Sequence, residues 1–369
     1  MNKKLTKTLL GDVCQLHRGY DLPNQNRIDG PYPVISSSGI SGMHHDYKCD
    51  GENVITGRYG TIGEVYYYNG KCWPLNTALF VSNFFDNYPK YIYYFLKCTL
   101  KVDGKDKSTV PGVDRNVLHA LKVSYFSDKD YQIEIASVLS CIDAKIDLNA
   151  QLCAELEAMA KTLYDYWFVQ FDFPDENGKP YRTSGGAMEW CQELGREVPK
   201  GWKAKRVSEL TKVITGKEDA NFSTADGEYK FFTCGQETLC CDTPAFTGKA
   251  VLIAGNGDFN VKHYTGSFNA YQRTYVLIPN EDKYYAAMFI AAKDTIQSFR
   301  QGSNGSIVKF ITKGDVENIT LLSPTNDDLL QRLNGIIEQI ELFEKENGEL
   351  IKLRDWLLPM LMNGQAFIH

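Results

Sequence analysis

Two glycine-punctuated stretches carry side chains suited to touching a polar, anionic polymer: Gly57-Arg58-Tyr59-Gly60-Thr61-Ile62-Gly63 and Gly302-Ser303-Asn304-Gly305-Ser306. Arginine can bond guanine or phosphate through two parallel N–H groups. Asparagine suits adenine, and hydroxyls hold phosphate oxygens. The same composition also builds ordinary tight turns, so the runs alone leave both roles open.

Other chemistry is thin. Gly-Lys pairs occur at 70-71, 104-105, 178-179, 216-217 and 248-249, none inside G-x-x-x-x-G-K-[ST], so no P-loop is expected. His44-His45 lacks acidic or cysteine partners at ligand spacing and reads as a surface turn, not a metal site. Asp175-Glu176-Asn177-Gly178-Lys179 is a loose match to a nuclease carboxylate–lysine cluster but sits in a Gly/Pro turn. Neither G-x-S-x-G nor an Asn-Pro-Pro-aromatic methyltransferase element is present. The expectation is a chain with no catalytic residues and no metal of its own.

The chain is written twice. Tyr32-Pro33-Val34-Ile35-Ser36 has its counterpart at Tyr229-Lys230-Phe231-Phe232-Thr233, 197 positions later. The same offset pairs Leu10, Asp12, Val13, Leu16 and Gly19 with Val207, Glu209, Leu210, Val213 and Gly216. It also pairs Val54-Ile55-Thr56-Gly57 with Val251-Leu252-Ile253-Ala254, Gly60 with Gly257, and Thr77 with Thr274. Length fits two domains plus connectors, at 369 residues. Ten cysteines without a C-x-x-C suggest reduced thiols. No secretory signal is expected, and no run approaches the ~20 apolar residues of a membrane span. A soluble, cytoplasmic protein is expected.

The net charge of −6 is unevenly placed. Residues 1–126 sum to +4, 127–200 to −7, 201–323 to +1 and 324–369 to −4. Neutral to mildly basic repeats thus alternate with acidic connectors. The basic excess is weaker than a free-standing DNA binder shows, so affinity is expected to need partner subunits.

Both connectors read as long helices. In the first, about 131–169, Ile135, Leu139, Ile142, Ile146, Asn149, Cys153, Leu156, Ala160, Leu163 and Trp167 alternate steps of four and three, a heptad seam. The second, about 326–362, supports Leu329, Leu333, Ile336, Ile340, Phe343, Asn347, Leu350, Arg354, Leu357 and Leu361, with Ile337, Ile351 and Leu358 in a competing phase. Asn149 and Asn347 fall near the seam midpoints, 198 residues apart, and are expected to meet each other across an antiparallel pair, since a buried amide needs a polar partner; two solvent-facing asparagines are the alternative. Ser127-x-x-Asp130 and Thr325-x-x-Asp328 are the expected N-caps. Each helix spans on the order of 55 Å, enough to hold two domains apart on DNA, which advances ~3.4 Å per base pair. Between the connectors, short β-type runs and helix-like stretches at Tyr91–Lys97 and Tyr284–Ala292 indicate an α+β class.

Local wording then supplies a family. Leu156 to Pro174, ending Tyr164-Asp165-Tyr166-Trp167-Phe168-Val169-Gln170-Phe171-Asp172-Phe173-Pro174, with Asn177-Gly178-Lys179-Pro180-Tyr181 and Ser184-Gly185-Gly186, resembles the central region of type I restriction-modification specificity subunits. Val198-Pro199-Lys200-Gly201-Trp202, Gly60-Thr61-Ile62-Gly63 and Leu357-Leu358-Pro359-Met360-Leu361-Met362-Asn363-Gly364 match as well. The resemblance implies two tandem mixed α/β target recognition domains separated by two long helices in an antiparallel coiled coil, a pseudo-twofold repeat. On that reading residues 1–126 are the first recognition domain, 127–170 the central helix, 171–200 a linker, 201–323 the second domain and 324–369 the C-terminal helix. The implied partners are double-stranded DNA, two methyltransferase subunits that bind S-adenosylmethionine and, for restriction, two ATP-dependent endonuclease-translocase subunits. No cofactor is expected on this chain, with S-adenosylmethionine, ATP and Mg on the partners.

Candidate DNA contacts are Arg58, Tyr59, Thr61, Lys107, Ser108 and Arg115 in the first domain. In the second they are Asn256, Asp258, Arg273, Arg300, Ser303, Asn304 and Lys309. Gly255-Asn256-Gly257-Asp258 standing where the first repeat has Arg58-Tyr59-Gly60-Thr61 implies different half-sites and an asymmetric target. Rival readings are a tandem-domain coiled-coil scaffold without DNA readout and a stand-alone nuclease, which lacks its metal cluster in the sequence.

Overall fold

The computed structural model describes residues 4–58, 63–100, 114–302 and 310–368, with backbone alone at 300–302. Its two units interleave along the chain: Met1–Leu148 joins Asn347–His369, and Asn149–Glu346 forms the other. Each long helix, Lys129–Tyr164 and Asp328–Met362, contributes one half to each unit.

In the first unit, strand Leu5–Leu9 pairs antiparallel with Lys122–Phe126 and runs into the single turn Leu10–Val13. A four-stranded sheet follows in the order Gln15–Arg18, Ala78–Asn83, Glu52–Gly57, Val65–Asn69. Beside it Gly39–His44, Tyr32–Ser36 and Trp73–Pro74 form a three-stranded sheet. The domain helix Pro89–Thr99 starts with proline, whose fixed φ suits a first helical position, and buries Tyr91, Ile92, Tyr94, Phe95 and Leu96 against the four-stranded sheet.

The second unit repeats this plan. Lys203–Arg206 pairs with Thr320–Ser323, Val207–Leu210 makes the turn, and helix Tyr285–Gly302 packs on strands Phe246–Ala254 and Val261–Ala270. Its six-stranded sheet fuses what the first unit keeps as two. Val261–Ala270 runs ten residues without a break and pairs in parallel with Tyr229–Phe232. In the first unit the equivalent strand stops at Asn69, Gly70 turns at φ 138°, and pairing resumes at Trp73–Pro74 beside Tyr32–Ser36.

Within each unit the long helices run antiparallel. In the first, Arg354 Nη1 lies 3.0 Å from Asp143 Oδ1, and Asn347 Nδ2 donates to the Ile146 carbonyl at 3.1 Å. Ile135, Leu139, Leu358, Leu361 and Met362 share its core. In the second, Asn149 Nδ2 donates to Glu346 Oε2 at 2.8 Å, and Cys153 lies 3.7 Å from the Ile340 carbonyl. Leu330, Leu333, Ile337 and Ile340 are buried there with Ala160 and Tyr164. The second helix buries residues of both expected phases, Leu329, Leu333, Ile340 and Leu361 from the seam among them. Ile337 and Leu358, from the competing phase, are buried while Ile336 and Leu357 are only half-buried. A helix covered by a globular domain as well as by its partner helix buries a wider arc than a heptad seam. The caps also differ from expectation. Asp128 Oδ1 accepts from Asp130 and Tyr131 N–H, while Ser127 turns to Thr6, and Asn326 Oδ1 accepts from Asp328 N–H in place of Thr325. Asx side chains nearer the first turn reach those donors directly.

Two buried amides fix the domain helices to the long ones. Gln132 accepts from Tyr88 N–H at 2.7 Å, just ahead of Pro89, and donates to Asn87 Oδ1 and the Phe126 carbonyl. Asn334 accepts from Ala286 N–H and donates to the Asp282 carbonyl, both at 2.9 Å. Each accepts from a helix-start N–H that the helix itself cannot satisfy. After Tyr164 the first long helix ends in a π-helical turn, Asp165–Val169. Phe168, Phe171 and Phe173 then gather around Trp202, Phe173 stacking on it at 4.9 Å. The most family-like words in the sequence thus form one aromatic cluster.

Gly19 and Gly216 show why the repeat keeps glycine. A Cβ would stand 2.1 Å from the Leu75 carbonyl oxygen at Gly19 and 1.8 Å from that of Ala270 at Gly216. Gly19→Ala or Gly216→Ala is expected to cost about 1–3 kcal/mol, by analogy with overpacking a filled site. Urea denaturation followed by circular dichroism measures it, and an unchanged midpoint would contradict the close approach.

Candidate nucleic-acid interface

Three turns of the second unit converge at one end of its sheet. Gly255–Asn260 follows strand Phe246–Ala254, Thr233–Glu237 follows Tyr229–Phe232, and Tyr271–Arg273 precedes Thr274–Leu277. Gly255 N–H donates to the Arg273 carbonyl at 2.9 Å, and Cys234 Sγ lies 3.4 Å from that same oxygen. Asn260 Nδ2 donates to the carbonyls of Cys234 and Gly235, at 2.8 and 3.2 Å. Lys262 Nζ reaches the carbonyls of Gly235 and Glu237, and burial holds its pKa below the usual lysine value. Lys262 spends its ammonium on loop carbonyls, so it organises the surface from beneath. Gly257 (φ 71°) and Phe259 (φ 46°) are left-handed, which folds the 255–260 turn tightly. Gln236, Asp258, Gln272 and Arg273 are exposed and Asn256 is half-buried.

The first unit builds the same frame from other residues. Arg58 N–H donates to the Thr77 carbonyl, as Gly255 does to Arg273, and Gly57 N–H to Glu64 as Ala254 does to Asn260. Asn76 N–H donates to the Tyr20 carbonyl, as Gln272 does to Glu218. Their side chains correspond too: Asn76 Nδ2 bonds Asp21 Oδ1, and Gln272 Nε2 bonds Asp219 Oδ1. Each carboxylate orients an amide on the same surface as the turns.

Of the sequence candidates, Arg58 lies on this frame in the first unit, and Asn256, Asp258 and Arg273 come together in the second. Arg115 is elsewhere, exposed at the start of helix Arg115–His119, which packs on Leu10–Val13 and Gln15–Arg18. Tyr59, Thr61, Lys107, Ser108, Ser303, Asn304 and Lys309 lie outside the described residues, as does the Arg300 side chain. Ile311 lies near the interface, its N–H donating to the Gly255 carbonyl and its own carbonyl accepting from Tyr275 Oη. Sequence reading missed Asp21, Asn76, Asp219 and Gln272. The repeat offset could have found them, since both pairs are separated by 196 to 198 positions.

Two further expectations change or resolve. His44 is buried, its Nδ1 lying 3.2 Å from Ile28 N and 3.1 Å from the Ile28 carbonyl oxygen, its ring edge-on to Trp73; only His45 is exposed. The surface-turn reading fails at His44 because its ring nitrogen serves backbone groups. Asp175 Oδ1 accepts from Asn177 and Lys179 N–H and so closes a turn. Among the described residues no His, Cys, Asp and Glu side chains group as a metal site, and no helix is long and apolar enough to cross a membrane.

Duplicated α+β domains, each with a polar turn cluster and each resting on an antiparallel helix pair, define a tandem recognition protein. The family described as "Type I restriction modification DNA specificity domain" matches residues 2–158 and 199–350, and the chain belongs to it. As a member it is a specificity subunit of a type I restriction-modification system, the part that recognises DNA sequence. It is 38% identical over 176 residues to the type I restriction enzyme EcoDI specificity subunit of Escherichia coli, an alignment covering 46% of this chain and 39% of that protein. It is 24% identical over 319 residues to the MjaIX specificity subunit of Methanocaldococcus jannaschii, covering 76% and 69%. The fold is similar to the crystal structure of a type I S subunit from M. genitalium, with a TM-score of 0.62 at 18% identity over 98% and 96% of the two chains.

Asn260→Ala removes both side-chain bonds to the Thr233–Glu237 turn. It is expected to speed amide hydrogen exchange there and to cost about 1–3 kcal/mol. Exchange mass spectrometry checks this, and protection equal to wild type would contradict the role given to Asn260.

Proposed function

We propose that this subunit reads a bipartite, asymmetric double-stranded DNA target, the first domain one half and the second the other. The observation that carries the reading is the shared frame with different side chains. The first unit presents Arg58 and Asn76 where the second presents Gly255-Asn256 and Gln272-Arg273. Arginine and amide side chains are the groups that distinguish base edges, so equivalent positions with different residues read different bases.

The long helices set the spacing and dock two methyltransferase subunits, with two endonuclease-translocase subunits joining for restriction. Exposed apolar side chains support docking: Ile133, Leu148 and Trp356 in the first unit, Met159 and Leu342 in the second. Solvent-facing apolar residues on otherwise acidic helices suit a partner's apolar or basic helix. The subunit performs no catalysis itself. S-adenosylmethionine, ATP and Mg belong to the partners, and the complex works in the cytoplasm on DNA.

Methylation-resolved sequencing of host DNA, with and without this gene and with the methyltransferase subunit present, tests the reading. A bipartite adenine mark is expected to vanish with the gene, and persistence of every such mark would refute it. The paired change Asn256→Ala with Arg273→Ala is expected to relax or weaken recognition of one half-site by about tenfold or more per lost base contact. The other half-site should be read as before.

A further inference from the structure

The carboxylates of Asp143 and Glu341 stand 198 positions apart, at equivalent points of the two long helices. Each receives a tyrosine hydroxyl from its own recognition domain. Tyr94, on helix Pro89–Thr99, donates to Asp143 Oδ2 at 2.5 Å, and Tyr285, opening helix Tyr285–Gly302, donates to Glu341 Oε1 at 2.5 Å. Each carboxylate also has a basic neighbour: Arg354 Nη1 at 3.0 Å from Asp143 in the first unit, and His263 Nδ1 at 3.3 Å from Glu341 in the second. The side chains of Arg354 and His263 are 18% and 5% exposed, so little water competes for these bonds.

The carboxylate is one of two pins that the long helix offers to the domain helix. Gln132 holds the start of Pro89–Thr99 and lies eleven residues, three helical turns, before Asp143. Asn334 holds the start of Tyr285–Gly302 and lies seven residues, two turns, before Glu341. Both members of each pair therefore lie on one face of their helix. The amide positions are not equivalent in the repeat, Gln132 corresponding to Leu330 and Asn334 to Ala136. The carboxylates are the shared element. Apolar packing alone permits sliding and small rotations, whereas a second directional bond fixes the angle of the domain on its helix pair.

We infer that Asp143 and Glu341 are positioning residues, which hold each recognition domain at the angle that admits a single spacer length. The inference rests on the bipartite reading above. Each added base pair moves a half-site by ~3.4 Å and turns it by about a tenth of a revolution, so domain angle is what spacer length tests.

The experiment uses the full chain with its methyltransferase subunit and a plasmid library carrying both half-sites at spacers stepped by one base pair. Tyr94→Phe, Tyr285→Phe, Asp143→Asn and Glu341→Gln are compared with wild type by methylation sequencing, with circular dichroism as the folding check. The variants are expected to keep both half-site sequences while modification at spacers one base pair longer or shorter rises about tenfold relative to the native spacer, the worth of one hydrogen bond to a charged group. An unchanged spacer profile in folded variants, or an equal loss at every spacer, would overturn the inference. If the carboxylate variants do not fold, the phenylalanine variants, each lacking one oxygen, decide it. A wild-type complex that marks no bipartite sequence would instead remove the functional reading itself, a result distinct from either outcome.

Discussion

Directional bonds from the long helices to the domain helices are the constraint on which the rest of the structure depends. A buried helix start exposes N–H groups that nothing inside the helix can satisfy, and leaving them bare is costly. Gln132 and Asn334 meet that need from the neighbouring long helix. A domain joined in this way has a defined seat. Its sheet, and the turns at the sheet's end, inherit that orientation.

The interleaved division of the chain follows from the same economy. A helix of 36 residues cannot bury one whole side against a single domain of this size, so each long helix gives one half to each unit. Within a unit, the end of one helix meets the start of the other, and a recognition domain closes over the pair. Leu333, Ile337 and Ile340 serve the helix partner and the globular core together in the second unit. That shared burial explains why both long helices bury residues beside their heptad seams, Tyr131, Ala136 and Tyr164 on the first and Ile337 and Leu358 on the second.

Frame and message are separable. Glycines 19 and 216, the Leu10–Val13 and Val207–Leu210 turns, and the amide–carboxylate pairs Asn76–Asp21 and Gln272–Asp219 recur because backbone geometry requires them or because they hold the frame. Arg58 against Gly255 is where the copies diverge, and divergence on a common frame is how one fold presents two different chemical surfaces. Such surfaces need rigid support. Asn260 and Lys262 provide it in the second unit by bonding loop carbonyls instead of facing solvent.

The duplication, the α+β class, both long helices and the seam through Ile135, Leu139 and Asn149 were legible in the sequence, because apolar periodicity and a constant offset are linear properties. So was the family, through the aromatic stretch that closes around Trp202. The caps at Asp128 and Asn326 were missed by one residue, since adjacent polar side chains compete for the same donors and only geometry chooses between them. His44 looked like a surface residue because nothing in its neighbours reveals that Ile28 needs a buried partner. Tertiary structure alone decided which tyrosines meet Asp143 and Glu341, and which turns assemble into one surface. Those contacts join residues tens of positions apart, and a sequence fixes such meetings only through the packing of the whole fold.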